Sequence, residues 1–136
     1  MNTITYKTTK EFTSKELEEL FLSVEWSSGA YPDKLVLAMR NYGSVFTAWD
    51  GDKLVGLIST MDDGVMTAYI HYVLVNPAYQ GLGIGRELMR LTTDLYKDYL
   101  RILLVSYQHS MDFYKSFGFK EGGDDHVTMY LTSLWT

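Results

Sequence analysis

Cysteine is absent from the 136 residues, so a disulfide framework, a thiolate nucleophile and a zinc-thiolate site are all excluded. Proline is scarce, with only two, which rules out a proline-rich linker protein. Long apolar runs are missing as well. The longest, Ala68–Val75 and Ile102–Val105, fall far short of the ~18–20 residues that a membrane helix needs. Met1 to Lys10 is polar and mixed and does not resemble a signal peptide, so a cytoplasmic location is expected. Basic residues are outnumbered 17 to 12, for a formal net charge of −5. A sequence-independent grip on nucleic acid or on an anionic membrane needs a basic face, so neither partner is expected. The three histidines are not at metal-ligand spacing, and no metal site is expected.

What remains is a chain built to pack. Hydrophobic residues make up 46% and aromatics 15%, which excludes disorder. The length fits one domain, 1–136, able to bury a core without staples. Periodicity supplies the elements. Thr3–Thr8 reads as a short strand, and Ser14 as the cap of a helix carrying Leu17, Leu20, Phe21 and Val24. Trp26–Pro32 breaks that helix, and Asp33 caps a second through Arg40. Val45–Trp49 and Leu54–Thr60 flank Asp50-Gly51-Asp52, the signature of a hairpin with a type I′ turn. Met61–Met66 is a further turn, and Thr67–Val75 a long β-branched and aromatic strand that stops at Asn76-Pro77. A helix beginning at Gly85 carries Ile84, Leu88, Leu91 and Leu95 on one face. Arg101–Ser106 reads as a buried strand and Ser110–Phe117 as a short helix. Phe119–Glu121 and Val127–Leu131 read as a closing strand pair around Gly122-Gly123. The order β-α-α-β-β-β-α-β-α-β-β is an α/β chain of the α+β kind: a mixed sheet with helices against it, parallel only in the crossover from Thr67 to Ser106.

Chemistry concentrates where the strand ending at Val75 passes through Gln80–Gly85 into a helix. Glycines there let a backbone approach an anion, and a helix N-terminus offers unpaired N–H groups and partial positive charge. A dinucleotide fingerprint fails because its third glycine position is Arg86, and a P-loop fails for want of its lysine.

The spacing that fits is Gln80-x-x-Gly83-x-Gly85 after Val-Leu-Val-Asn-Pro, followed by Phe113-Tyr114-Lys-Ser-Phe-Gly118-Phe119 and preceded by the Asp50–Gly56 hairpin. On these motifs, from Val45 to Phe119, the chain resembles the GNAT superfamily of N-acetyltransferases, in particular its small arylalkylamine-acetyltransferase-like members. The resemblance implies the GNAT fold and acetyl-CoA as co-substrate. It implies that Val73, Leu74 and Val75 pair with the pantetheine arm and that Gln80, Gly81, Leu82, Gly83, Ile84, Gly85 and Arg86 cradle the pyrophosphate. Tyr114 stands where the family places its general acid, and a phenol of pKa near ~10 can protonate a departing thiolate of pKa near ~8.5.

A base is also needed, because an alkylamine is protonated at neutral pH. Histidine titrates in the working range, and His71 shares a strand face with Tyr69, Val73 and Val75. Arylalkylamine-type relatives carry a histidine here. A hydrogen-bonded strand histidine and a core aromatic remain the plain alternatives for His71 and Tyr114.

Two positions depart from the family pattern. Tyr107 stands where many relatives have an Asn that contacts the coenzyme, and Ser110 where they have Ala, so Tyr107 or Ser110 is expected to take over that contact. Strand 67–75 holds no glutamate, so the carboxylate base of some relatives is absent, and the oxyanion would rest on a strand amide near Leu74. The loop with Trp26, Ser28 and Tyr31 is where the family shapes its acceptor pocket, with an exposed connection between two helices as the plain alternative. The expected reaction is acetyl transfer to a primary amine of a small molecule by direct attack in a ternary complex. A catalytically degenerate CoA sensor and a protein amine as acceptor stay open. A homodimer is permitted and not required.

Overall fold

The computed structural model describes residues 3–133 and 136. Five strands lie side by side in chain order: β1 (Ile4–Thr8), β2 (Ser44–Asp50), β3 (Lys53–Asp62), β4 (Thr67–Val75) and β5 (Arg101–Leu104). Neighbours are antiparallel from β1 to β4, and β5 runs parallel to β4. The β2–β3 hairpin pairs Asp50 with Lys53 around Gly51-Asp52. Only Gly51 has a positive φ, 59°, so the turn follows the II′ pattern and not the expected I′. β3 extends to Asp62, past the end expected at Thr60.

Helices α1 (Ser14–Ser23) and α2 (Pro32–Asn41) cover one face. Thr13, not Ser14, caps α1: its Oγ1 accepts from the Glu16 amide at 3.1 Å, and the Glu16 carboxylate accepts from the Thr13 amide at 2.8 Å. This reciprocal box satisfies two amides that a helix start leaves free. Ser14 instead donates to Asp33 at 2.5 Å, tying the two helices together. α2 opens on Pro32, one residue ahead of the expected cap, because proline suits the first helical position. Leu17, Leu20 and Phe21 pack with Leu35, Met39, Tyr42, Val45, Trp49, Leu57 and Leu74.

Helix α3 (Ile84–Leu95) covers the other face and buries Ile84, Leu88, Met89 and Thr92 against Ala48, Val55, Ile58 and Ile70. The buried stripe advances by fours, so Leu95 lies on the exposed side, contrary to the expected face. Thr92 is tolerated there because its hydroxyl donates to the Leu88 carbonyl at 2.9 Å. Gly56 on β3 makes this approach close: a Cβ at that position would lie 2.9 Å from Ile84 Cγ2.

The expectation for the chain's end is corrected. β5 is half-exposed and alternating instead of buried, because it is the sheet's last strand among the described residues. No strand forms at Phe119–Glu121 or Val127–Leu131. Phe119–Glu121 carries two charged residues and runs into Gly122-Gly123-Asp124-Asp125, with little apolar surface to offset the entropy of ordering a strand. Val127–Leu131, apolar and β-prone, is left exposed without that strand to pair with.

Two irregularities around β4 create the site. Pairing with β5 ends at Ile70 and Leu104, so from His71 onward β4 has no strand neighbour on that side among the described residues. On its other side the register jumps between Ser59 with Tyr72 and Thr60 with Ile70, leaving His71 as the extra residue of a β-bulge.

Candidate active site

The loop after β4 is anchored at several points. The Asn76 amide donates to the Val55 carbonyl at 2.8 Å, Tyr79 donates to Asp50 at 2.5 Å, and the Gln80 amide group reaches the Val75 carbonyl at 3.3 Å. Gly81 and Gly83 then take φ of 83° and 78°, values that L side chains rarely adopt. Gly83 caps α3 with its carbonyl bonded to the Glu87 amide at 3.0 Å, which leaves the preceding amides of the first turn without helical partners. A Cβ on Gly81 or Gly83 would meet nothing within 4 Å, so open space stands over the loop. Gly85 serves differently. Its missing side chain seats the ring of Phe113, from helix α4 (Met111–Lys115), against the start of α3.

This loop lines a cavity of about 370 Å³ together with Val73–Val75, Tyr79, Arg86, Ser110, Phe113 and Tyr114. Bare amides, a helix start and the Arg86 guanidinium suit the phosphates of a coenzyme A donor. Arg86 stacks on Phe117, 5.0 Å from its ring centre. Arg90 is already paired with Glu87.

A second cavity, of about 570 Å³, fills the gap where β4 and β5 part. Trp26, Tyr69, His71, Tyr72, Tyr107 and His109 supply most of its ring surface, and Glu25 is the one acidic side chain among the described lining residues. Glu25 holds φ at 59°, the single positive value among the described non-glycine residues. Neither lysine nor arginine lines this cavity among the described residues.

The bulge decides where His71 points. Tyr69, His71 and Tyr72 gather on the α1–α2 side, while Val73 and Val75 pack on the α3 side. His71 therefore does not share the face of Val73 and Val75, as simple alternation predicts. Its Nδ1 lies 2.5 Å from the Tyr42 hydroxyl, and its ring stacks on Tyr72 at 4.0 Å. Burial lowers its pKa, so the imidazole is neutral at physiological pH.

Tyr114 stands where the two cavities meet. Both are lined by Val73, Leu74, Val75, Gln80, Ser110 and Tyr114. Burial among Phe113 and Phe119 pushes the Tyr114 phenol up to about 12, so it stays protonated.

The remaining expected residues divide. Leu82 is exposed and lines neither cavity, and Tyr107 faces the larger cavity, stacked on His109 at 5.4 Å. Trp26 lines the larger cavity, whereas Ser28 lies behind it, 2.8 Å from the Tyr72 hydroxyl and donating to the Thr136 carbonyl at 2.7 Å. Tyr31 lines neither; it is exposed at the start of α2, under the Lys34 ammonium. Sequence reasoning missed Tyr42, Tyr72, Tyr79 and Phe113. The aromatic density of β4 was the available signal for Tyr72, and the Phe113-Tyr114 pair for Phe113.

A strand edge left unpaired beside a glycine-rich helix start, with two cavities meeting at Tyr114, matches the layout of an acyl-CoA transferase. Comparison with known proteins agrees. Residues 10–119 match the family model described as "Acetyltransferase (GNAT) family". An uncharacterised ycf52-like N-acetyltransferase of Prochlorococcus marinus is 33% identical over 109 residues, 76% of this chain and 60% of that protein. A protein of Glycine max named histone acetyltransferase TAP1 is 34% identical over 70 residues, 50% of this chain and 30% of that one. The chain thus spans less than two thirds of the curated relatives it matches here. A solved GNAT-family acetyltransferase from Streptococcus pneumoniae superposes with a TM-score of 0.83 at 26% identity, covering 96% of this chain and 99% of that one. The chain belongs to the acetyltransferase (GNAT) family. Acetyl-CoA is the acyl donor that membership implies.

Proposed function

We propose that the protein transfers the acetyl group of acetyl-CoA to the primary amine of a small molecule, by direct attack with donor and acceptor bound together. The observation that carries this reading is the shared wall: Val73–Val75 and Tyr114 border the donor cradle and the acceptor cavity alike. An acetyl group at that wall is within reach of an amine from the other side. The absence of cysteine rules out a cysteine-linked acyl-enzyme.

His71 takes a proton from the ammonium through water, leaving a lone pair on nitrogen. The C–N bond forms as the thioester carbonyl electrons move to oxygen, where an amide of β4 near Leu74 donates. The oxyanion then collapses, the C–S bond breaks, and Tyr114 supplies its hydrogen to the departing sulfur. The nitrogen gives up its second proton to solvent, and Tyr114 is reprotonated, so the products are an amide and free CoA. Glu25 supplies the charge that draws an ammonium into a cavity otherwise walled by rings, which suits an amine with an apolar or aromatic body.

A protein amine is the second reading, favoured by the named function of the Glycine max relative. One assay separates the two: release of free CoA from acetyl-CoA against small amines and a lysine-bearing peptide, with Tyr114→Phe in parallel. The proposal expects turnover with small amines and a kcat loss of about 10²-fold or more in Tyr114→Phe at unchanged KM for acetyl-CoA. CoA bound tightly with no amine accelerating its release would leave a sensor instead of an enzyme. Full activity in Tyr114→Phe would remove Tyr114 from its role.

A further inference from the structure

We propose that Tyr42 is the positioning residue of the site, holding His71 with hydrogen on Nδ1 and the Nε2 lone pair turned to the acceptor cavity. The inference rests on the reading of His71 as the base.

Tyr42 belongs to the core between α2 and β2 and is 7% exposed, so its hydroxyl is held by packing. That hydroxyl meets Nδ1 at 2.5 Å. Tyr72 stacks on one face of the imidazole at 4.0 Å, and the Tyr69 ring meets it edge-on at 6.0 Å. Nε2 is the ring nitrogen left without a hydrogen bond to protein among the described residues, and His71 lines the cavity.

The direction of the Tyr42 bond follows from what a base must do. If Tyr42 donated to Nδ1, the neutral ring's single hydrogen would sit on Nε2, and nothing facing the cavity could accept a proton. Taking up a proton elsewhere would then set two donors against each other at 2.5 Å. If Nδ1–H donates to the phenol oxygen, Nε2 is free to accept, and the imidazolium that forms keeps its partner. The phenol hydrogen then needs an acceptor. Ser59 has a buried hydroxyl with no partner of its own at regular hydrogen-bond geometry, it lies beside the Tyr42 phenol, and the proposal makes it the acceptor. A chain running from His71 through Tyr42 to Ser59 satisfies a buried hydroxyl that would otherwise cost roughly 1–3 kcal/mol. It places in the core, as neutral groups, the orienting function that a carboxylate often supplies to histidine.

Long-range proton–nitrogen correlation spectra of the ¹⁵N-labelled full chain, with His71 assigned by His71→Gln, read the tautomer directly. The expected result is hydrogen on Nδ1 in the unmodified protein and a shift toward the Nε2–H form in Tyr42→Phe. Ser59→Ala, which leaves the ring contacts in place, moves the population the same way. In turnover, Tyr42→Phe lowers kcat by about tenfold at unchanged KM for acetyl-CoA. An Nε2–H ring in the unmodified protein, or an unaltered tautomer in Tyr42→Phe, overturns the proposal. The first of these needs no variant to fold. Full turnover by His71→Gln would instead sink the base reading, while the spectra still decide the role of Tyr42.

Discussion

Gly56→Ala is the sharpest perturbation available, because it acts on the donor cradle from a residue that touches no ligand. The added methyl would lie 2.9 Å from Ile84 Cγ2, 3.3 Å from Ala48 Cβ and 3.4 Å from Leu88 Cδ1. Carbon atoms settle near 3.5–4.0 Å, so the start of α3 has to move out by roughly 0.6–1.1 Å. Ala48 lies on the neighbouring strand and cannot yield without moving the sheet, so the helix yields. Overpacking of this size costs about 1–3 kcal/mol. Ile84 opens the helix whose free amides are proposed to hold the phosphates, so the same displacement would carry those amides away from them. Denaturant unfolding should give a lower midpoint at an unchanged slope, and titration with CoA a dissociation constant raised several-fold. The acceptor KM should hold, since none of Gly56, Ile84 and Leu88 lines the larger cavity. Ile84→Ala removes the clashing methyl, so the double variant should lose less stability than the two single losses combined. Strictly additive losses, or undiminished CoA affinity in Gly56→Ala, would refute the reasoning.

Three further outcomes follow from the acceptor side. Burial sets the His71 pKa below 6.5, so kcat/KM should fall on the acid side through an apparent pKa under that value, and His71→Gln should lose this limb. The unfolded chain binds the proton first as pH drops, so the stability His71 contributes is complete above about 6.5 and declines as pH falls toward the folded value, which a pH series of denaturant midpoints records. Glu25→Gly relieves a left-handed φ that costs an L residue roughly 1–2 kcal/mol, less ~0.4–1 kcal/mol for glycine's extra freedom when unfolded. Its melting temperature should rise by a few degrees while the KM for a cationic amine climbs; a protein less stable and equally avid would count against both roles of Glu25.

Local patterns made the donor side legible. β-branched residues running into Asn76-Pro77 end β4 by chain chemistry alone, and the glycine spacing at 81, 83 and 85 marks the helix start whatever the rest of the fold does. Gly81 and Gly83 are needed for φ and Gly85 for Phe113, two different reasons behind one spacing. The acceptor side was less legible because long-range pairing decides it. The face of His71 is set by a bulge that exists only once β3 is alongside, and a one-residue slip inverts every alternation argument beyond it. Tyr42 comes from 29 residues away, with no local pattern to announce it. Tyr31 read as a pocket residue because an aromatic beside a turn looks the same whether it faces in or out. The Thr13 cap differed from expectation by one position, since Thr-Ser offers two hydroxyls and only the box with Glu16 separates them.

The parting of β4 from β5 leaves a sheet edge in the middle of the molecule instead of at its rim. A donor arm laid along that edge is read by peptide groups, which every residue but proline carries alike. The side chains of Val73, Leu74 and Val75 then answer to the packing on either face of the sheet and not to the coenzyme, so exchanges among β-formers of like size would leave the donor grip intact. Proline at any of the three would be the damaging exchange. An enzyme so arranged would hold its donor through the main chain and choose its acceptor through side chains.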